Sequence, residues 1–306
     1  MGVMDRIQAL CRNFLWEGHG SYSKAPLVVW NVLCTSKDKG GLGLTDSKLW
    51  NIAAIGKLIW WLASKQDHLW IRWVNCIYIK GMPWKDYEPT PYSSWAWRKI
   101  CEVKKLFKVG YTDDKWRGTD VAYTISDGYN WLLNETTQKF PWARIVWNRY
   151  NLPKWSFIMW LIQHHRLLTL DRLRKMGLDV PTDCYLCGME AETHTHIFRT
   201  CIYITRCFQL LSSWLQIPVG ILLATECILK LRRFSMLVRQ IILAAIVGVH
   251  YGVWKSRNTG RVDGYVMNPV HLVRLVQVDC RRRVAGEFQG SMTNFDKTWC
   301  RDHGLI

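Results

Sequence analysis

Residues 184–201 read CYLCGMEAETHTHIFRTC and bring cysteine and histidine together within a short stretch of the chain. Two residues separate Cys184 from Cys187, and four separate His196 from Cys201. Two thiolates on a tight turn can hold one edge of a tetrahedral ion, and a thiolate with a neutral imidazole can hold the other. Four protein ligands of these types are typical of a closed structural zinc site. The spacing therefore predicts Zn²⁺ bound by Cys184, Cys187, His196 and Cys201.

Other interpretations of this stretch stay open at the level of sequence. His194 lies two residues from His196 and is an alternative ligand, although the His-x4-Cys spacing of zinc knuckles favours His196. Cys207 is a further thiol close to the cluster. The thiols could also be buried side chains without a metal, or Cys184 and Cys187 could form a disulfide.

The regions on both sides of this stretch predict helices. After Asp46, apolar residues recur at spacings of three and four up to Leu62, and Thr45 or Asp46 can cap the helix that they form. Pro153 opens a second helical pattern, and Val270 begins a third. Residues 121–125 (VAYTI) predict one short strand. We therefore expect a mainly α protein, with helical flanks around a small CCHC module and at most a few short strands.

The longest apolar run extends from Ile241 to Val249 and continues past His250 to Trp254. As a helix it spans about 21 Å, which is short of the ~30 Å hydrocarbon core of a bilayer. The run predicts a buried core helix, and we expect no membrane partner. The first residues lack the pattern of a secretory signal peptide, which predicts an intracellular protein of the nucleus or cytoplasm with reduced thiols.

The chain carries a large excess of positive charge. The 306 residues include 41 Lys and Arg against 24 Asp and Glu, a formal net charge of +17. Most of this excess lies outside residues 121–229, which carry 10 basic and 8 acidic side chains. Basic side chains near phosphates release counterions and add affinity that depends on salt. We expect nucleic-acid contacts in the tail from Arg232, Arg233, Arg239, Lys255, Arg257, Arg281, Arg282 and Arg283.

The chain is also rich in tryptophan, with 19 residues of this type. Most of them stand at helical spacing among other apolar residues, which favours packing over exposure. We assign Trp50, Trp60, Trp147 and Trp160 to the core.

The order of motifs around the cysteine cluster resembles the zinc-binding domain of plant reverse transcriptases. The residues that carry the resemblance are Trp142-Ala143-Arg144-Ile145-Val146-Trp147, Pro153-Lys154, Phe157, Trp160-Leu161, Arg166-Leu167, Thr169, Arg172-Leu173, Cys184-x2-Cys187, Glu192-Thr193, His196-Ile197-Phe198 and Cys201. The resemblance implies the ligand set Cys184, Cys187, His196 and Cys201. It places the chain in the C-terminal part of a plant-type non-LTR (LINE) retrotransposon reverse transcriptase.

The resemblance also suggests three segments. Residues 1–120 resemble the helical connector that follows the polymerase, residues 121–208 the zinc-binding domain, and residues 209–306 form a basic helical tail. The function that this implies is nucleic-acid binding without catalysis, in a chain that lacks the polymerase palm. Two alternatives stay open, namely a zinc-stabilised protein–protein interaction module and a gene remnant without a selected function.

The sequence predicts no catalytic residues. Tyr111-Thr112-Asp113-Asp114 resembles the paired aspartates of a polymerase palm, but Lys115-Trp116-Arg117-Gly118 follows and is typical of a loop. Two-metal phosphoryl transfer needs such carboxylates in a hairpin, beside a third carboxylate on a neighbouring strand. The acidic residues of the tail have no alternating strands to bring them together, and no small-molecule substrate site is evident.

Overall fold

The computed structural model describes residues 2–17, 26–110, 122–133, 138–222, 231–287 and 292–306. In these ranges the regular structure is helical, and β-pairing is limited to an isolated antiparallel bridge between Asp183 and Ala191. The predicted mainly α fold class, with helices on both sides of a small Cys/His module, is confirmed.

The α-helices of the described residues are numbered in chain order. They are α1 (Val3–Glu17), α2 (Trp30–Cys34), α3 (Ser47–Ala63), α4 (Leu69–Val74), α5 (Trp95–Gly110), α6 (Ile125–Leu133), α7 (Ala143–Val146), α8 (Pro153–Gln163), α9 (Leu170–Lys175), α10 (Ile202–Leu215), α11 (Val219–Leu222), α12 (Met236–Asp263), α13 (Pro269–Glu287) and α14 (Asn294–Asp302). Short 3-10 turns lie at Lys37–Lys39, Trp84–Asp86 and Leu231–Arg233, and π-helical turns at Asn75–Ile79 and His196–Thr200.

The chain packs as two compact units, Met1–Gln138 and Lys139–Ile306. In the second unit, α8 and α10 both pack against α12, and α10 also packs against α13. Helices from both sides of residue 208, the predicted end of the zinc-binding domain, share this core. The two units therefore differ from the three segments that were predicted from charge and resemblance.

The core of the first unit forms around α3, which packs against α5 and α6. The helix begins where the sequence predicts, because the Asp46 carboxylate accepts hydrogen bonds from the N–H groups of Lys48 and Leu49, at 2.9 and 3.0 Å. Trp50 on the same helix is 43% exposed, so its assignment to the core was wrong. Its ring contacts that of Tyr129 instead, with centroids 5.6 Å apart.

The predicted strand at residues 121–125 is also wrong. Val121 lies outside the described residues, and Ile125 is the first residue of α6. The Oγ1 atom of Thr124 accepts a hydrogen bond from the Asp127 N–H at 3.0 Å, which is the geometry of a helix N-cap. A capping threonine therefore starts a helix where β-branched residues suggested a strand.

The core of the second unit forms around α12, which contains the long apolar run. This helix is long and apolar enough to cross a membrane by length and composition, but 61% of its apolar window is buried inside the protein. Every residue from Ile241 to Val249 is buried. The prediction of a buried core helix is therefore confirmed.

Candidate metal centre

A tight reversal of the chain positions the first two cysteines. The Cys184 N–H donates to the Glu190 carbonyl at 2.8 Å, and the Gly188 N–H donates to the Cys184 carbonyl at 2.7 Å. Gly188 has φ +64°, a left-handed conformation that glycine adopts without strain. The Asp183–Ala191 bridge closes the base of this knuckle, so both thiols point to one side of a short loop.

The π-helical turn His196–Thr200 positions the other two side chains. Its first residue is fixed by the Thr193 hydroxyl, which accepts a hydrogen bond from the His196 N–H at 3.0 Å. At the end of the turn, the Cys201 N–H donates to the His196 carbonyl at 2.8 Å, and α10 begins. This wide turn returns Cys201 to the same side as His196, which explains why a spacing of four intervening residues suits the pair.

The four predicted side chains meet in space. The ligand atoms of Cys184, Cys187, His196 and Cys201 all lie within 4.8 Å of one another. The Cys187 Sγ atom is 3.3 Å from His196 Nε2. A tetrahedral zinc site with Zn–S of about 2.3 Å and Zn–N of about 2.0 Å has ligand–ligand distances of roughly 3.5–3.8 Å. Three of the side chains are buried and Cys187 is half-buried, so the donor set and its enclosure fit Zn²⁺ in a closed site.

The orientation of His196 is fixed by a residue that the sequence analysis missed. His196 Nδ1 is 3.0 Å from Glu190 Oε2 and 3.4 Å from the Thr200 hydroxyl. With Nδ1 used in this way, Nε2 faces the cysteine sulfurs. A carboxylate behind a ligating imidazole is the usual outer partner in zinc sites, since it fixes the tautomer and raises the basicity of the ring. The only signal for this role of Glu190 in the sequence is the acidic composition of the segment between Cys187 and His196.

The thiols influence one another strongly. A hydrogen bond with Cys201 lowers the pKa of Cys184 to about 5, and the backbone N–H groups of Leu186 and Cys187 act in the same direction. The same hydrogen bond raises the pKa of Cys201, and burial adds to this shift. The cluster therefore already favours a thiolate at Cys184, the form in which cysteine ligates metals.

The two alternative ligands lie outside the cluster. His194 Nε2 hydrogen-bonds to the Ile162 carbonyl at 3.0 Å, and its ring contacts His165 and Phe198. Burial lowers the pKa of His194 to about 4, and the nearby His165 adds to this shift. Cys207 is buried in α10, where burial raises its pKa to about 12. The geometry therefore favours His196 over His194 and leaves Cys207 in the core.

A buried ion pair joins the knuckle to α12. Glu192, which is fully buried, receives the Arg257 guanidinium at 3.0 and 3.1 Å through Nε and at 2.5 Å through Nη2. The same carboxylate accepts the Leu170 N–H at 2.9 Å. The guanidinium also lies over the rings of Tyr185 and Trp254. Arg257 is only 1% exposed, so the prediction that it contacts nucleic acid was wrong.

The remaining basic residues of the predicted interface differ in exposure. Arg232, Arg233, Lys255, Arg281 and Arg282 are exposed, and Arg239 and Arg283 are half-buried. Arg281 donates to the Gly304 carbonyl, Arg283 to the Arg149 carbonyl at 3.0 Å, and Arg239 to the Phe234 carbonyl at 3.4 Å. Arg239 and Arg283 are both half-buried and bonded, so the five exposed side chains are the best suited to phosphate contact, with Arg281 engaged in part by its bond to Gly304.

The paired aspartates Asp113 and Asp114 lie outside the described residues. In the tail, Asp296 completes a capping box at the start of α14 and accepts a hydrogen bond from the Ser235 hydroxyl. This carboxylate therefore has a structural role at the ends of two helices.

Comparison with known proteins places this centre in a family context. Residues 123–207 match the family model described as zinc-binding in reverse transcriptase. Over 143 residues the chain is 33% identical to a putative ribonuclease H protein of Arabidopsis thaliana, an alignment that covers 46% of this chain and 20% of that protein. Over 142 residues it is 25% identical to an uncharacterized mitochondrial protein of the same plant, covering 44% of this chain and 86% of that protein. The predicted resemblance is confirmed.

Proposed function

We propose that this chain is a zinc-binding and nucleic-acid-binding part of a retrotransposon-derived reverse transcriptase, and that it does not itself catalyse a reaction. The observation that carries the proposal is the Cys184, Cys187, His196 and Cys201 cluster, whose ligand atoms lie within 4.8 Å inside the matched region. We further propose that the chain acts in the nucleus or cytoplasm, where its thiols stay reduced.

The role of the metal in this proposal is structural. Bound Zn²⁺ supplies a cross-link, and with four protein ligands it keeps no open position for a reacting water. Cys184 and Cys187 hold the knuckle, and His196 and Cys201 hold the start of α10. Glu190 orients the imidazole, and Glu192 ties the knuckle to Arg257 on α12. Binding would therefore order one end of the core of the second unit.

The nucleic-acid part of the proposal is supported by charge. Three thiolates exceed the charge of one Zn²⁺, so the metal module itself is not a source of positive charge. Most of the basic excess comes from residues 1–120 and 230–306. In the second unit it includes the exposed side chains of Arg232, Arg233, Lys255, Arg281 and Arg282. Such side chains bind phosphates without reading sequence.

The metal assignment is tested by elemental analysis of purified protein. The wild-type chain should contain one zinc per molecule, and Cys187→Ser should contain much less. Cys76→Ser is the matched control, because Cys76 is an exposed thiol of the first unit and should leave the zinc content unchanged. Equal zinc content in all three proteins would refute the assignment.

Nucleic-acid binding is tested by titrating labelled RNA and single-stranded DNA at several salt concentrations. The affinity should fall steeply with salt, and the double variant Arg281→Ala/Arg282→Ala should reduce the logarithmic salt slope by about 1–2. Lack of binding at low salt would contradict the proposal and favour the protein-interaction hypothesis.

A further inference from the structure

A cavity of about 580 Å³ lies beside the metal centre in the second unit. One wall is the segment between the ligands His196 and Cys201, which contributes Phe198 and Arg199. Ile246 and His250 of α12 also line the cavity. Cavities of this volume are typical of sites for small organic ligands and cofactors.

The walls of the cavity offer flat aromatic surfaces. Trp142 and His165 line it with accessible rings, whereas Phe198 and Phe208 line it as buried side chains. The rings of Phe198 and His250 are inclined by only 27°, with centroids 6.1 Å apart. His165 and His194 form a second ring pair at the cavity, with centroids 4.0 Å apart. Such surfaces suit a planar ring system, because stacking is favourable for any base that presents a π-face.

Two imidazoles that line this space, His194 and His250, each use one ring nitrogen on a backbone carbonyl. His250 Nδ1 is 2.8 Å from the Ile246 carbonyl of its own helix. A carbonyl oxygen only accepts, so Nδ1 carries the proton and Nε2 of the neutral ring is an acceptor. His194 uses Nε2 on the Ile162 carbonyl in the same way, which leaves Nδ1 as its acceptor. Burial lowers the pKa of His250 and so favours the neutral ring.

Arg199 supplies a positive charge at the exposed side of the cavity. Its side chain is exposed, and among the described residues no hydrogen bond or ion pair engages its guanidinium. The guanidinium is therefore available for a phosphate oxygen, which it can contact through two parallel N–H groups.

We propose that this cavity binds one unpaired base of a single-stranded nucleic acid, with Arg199 on an adjacent phosphate. The inference rests on the nucleic-acid binding proposed above and assigns it a site outside the arginine-rich tail. It also predicts base selectivity. Cytosine presents an amino group to the acceptors of His194 and His250, whereas thymine and uracil present two carbonyl oxygens around a single N–H. The site therefore prefers cytosine to thymine.

The test compares two fluorescein-labelled single strands, C12 and T12, by anisotropy titration of the full chain near neutral pH. One additional hydrogen bond predicts that C12 binds about fivefold more tightly than T12. His250→Phe keeps the ring and removes the acceptor, so it should abolish this ratio. His271→Phe is the matched control, because His271 is exposed on α13 and does not line the cavity.

The charge at the cavity is tested with a second pair of variants. Arg199→Ala should weaken binding of both strands by about tenfold, since a placed guanidinium is lost. Arg206→Ala removes the same charge from an arginine of α10 that does not line the cavity, and should weaken binding by about twofold. Arg199 is exposed, so this variant keeps the test informative even where His250→Phe fails to fold.

The outcomes separate the two proposals. Equal binding of C12 and T12 by the wild type, a ratio retained in His250→Phe, or equal effects of the two arginine variants would overturn the cavity assignment while nucleic-acid binding stands. Failure of both strands to bind the wild-type protein would refute the proposed function, and the cavity assignment with it.

Discussion

The two compact units build their cores from different materials. In Met1–Gln138, aromatic side chains pack on one another, as Trp97 does with Tyr78, Trp84 and Tyr87. In Lys139–Ile306, the aliphatic helix α12 forms the centre, and polar groups attach the knuckle to it. The first core combines apolar burial with a few buried hydrogen bonds, such as that of the Trp97 indole to Tyr87, whereas the second also depends on a buried ion pair and on metal chemistry.

Because of this difference, we expect the two units to lose structure under different conditions. Non-directional apolar burial tolerates changes in metal content, because it depends only on area removed from water. Four ligands and a buried ion pair act only when each partner is in its required chemical form. Perturbations of metal and charge should therefore affect the second unit selectively.

Removal of the metal should give the largest effect. Structural zinc contributes on the order of 10–16 kcal/mol in small zinc-dependent folds. We expect a strong chelator to raise amide hydrogen exchange in residues 182–201 and in α9, which contacts the knuckle through the Glu192–Leu170 bond. Hydrogen-exchange mass spectrometry of the full chain measures this change.

The first unit is the internal control for this experiment. Peptides from α3 and α5 should exchange at the same rate with and without chelator, since no residue of the metal cluster lies in them. Equal protection of residues 182–201 in both conditions would show that the knuckle folds without metal.

The Arg257–Glu192 pair should give the next largest effect. Arg257→Met leaves a fully buried carboxylate without its cation, and breaking a buried pair in this way costs about 3–5 kcal/mol. We expect the free energy of unfolding of the second unit to fall by this amount. Denaturant titration followed by exchange in α12 peptides measures the change.

A double variant distinguishes the lost pair from lost packing. Glu192→Gln/Arg257→Met removes both charges and keeps an acceptor for the Leu170 N–H. It should be more stable than Arg257→Met alone, because the uncompensated charge is gone. A double variant as unstable as the single one would assign the cost to the contacts of Arg257 with Tyr185 and Trp254.

The ion pair also shows where prediction from sequence reached its limit. The spacing of Cys184, Cys187, His196 and Cys201 is local, so the sequence predicted which four side chains meet, and the structure brings them together. Arg257 lies 65 residues from Glu192. The sequence around an arginine in a basic tail does not indicate whether its side chain is buried or exposed. Only tertiary packing separates the two cases.

Local patterns gave mixed results for secondary structure. The start of α3 at Asp46 and the burial of Ile241–Val249 followed from capping chemistry and from apolar run length. The strand at residues 121–125 failed because Thr124 caps a helix, a role that its β-branched shape conceals. The exposure of Trp50 likewise depends on which side chains pack over it. Hydrophobic periodicity does not predict those neighbours.

Helix caps should give the smallest effects, and they should be similar in both units. Asp46→Ala removes the acceptor for two N–H groups at the start of α3, and Thr293→Ala opens the capping box of α14. Each loss should cost about 1 kcal/mol. Unit-specific amide exchange free energies measure both.

Asp46 also accepts the Gln8 amide at 2.6 Å, so Asp46→Ala should additionally raise exchange in α1. A cost above about 3 kcal/mol for either variant would exceed what a cap contributes and would show that its side chain fixes tertiary structure.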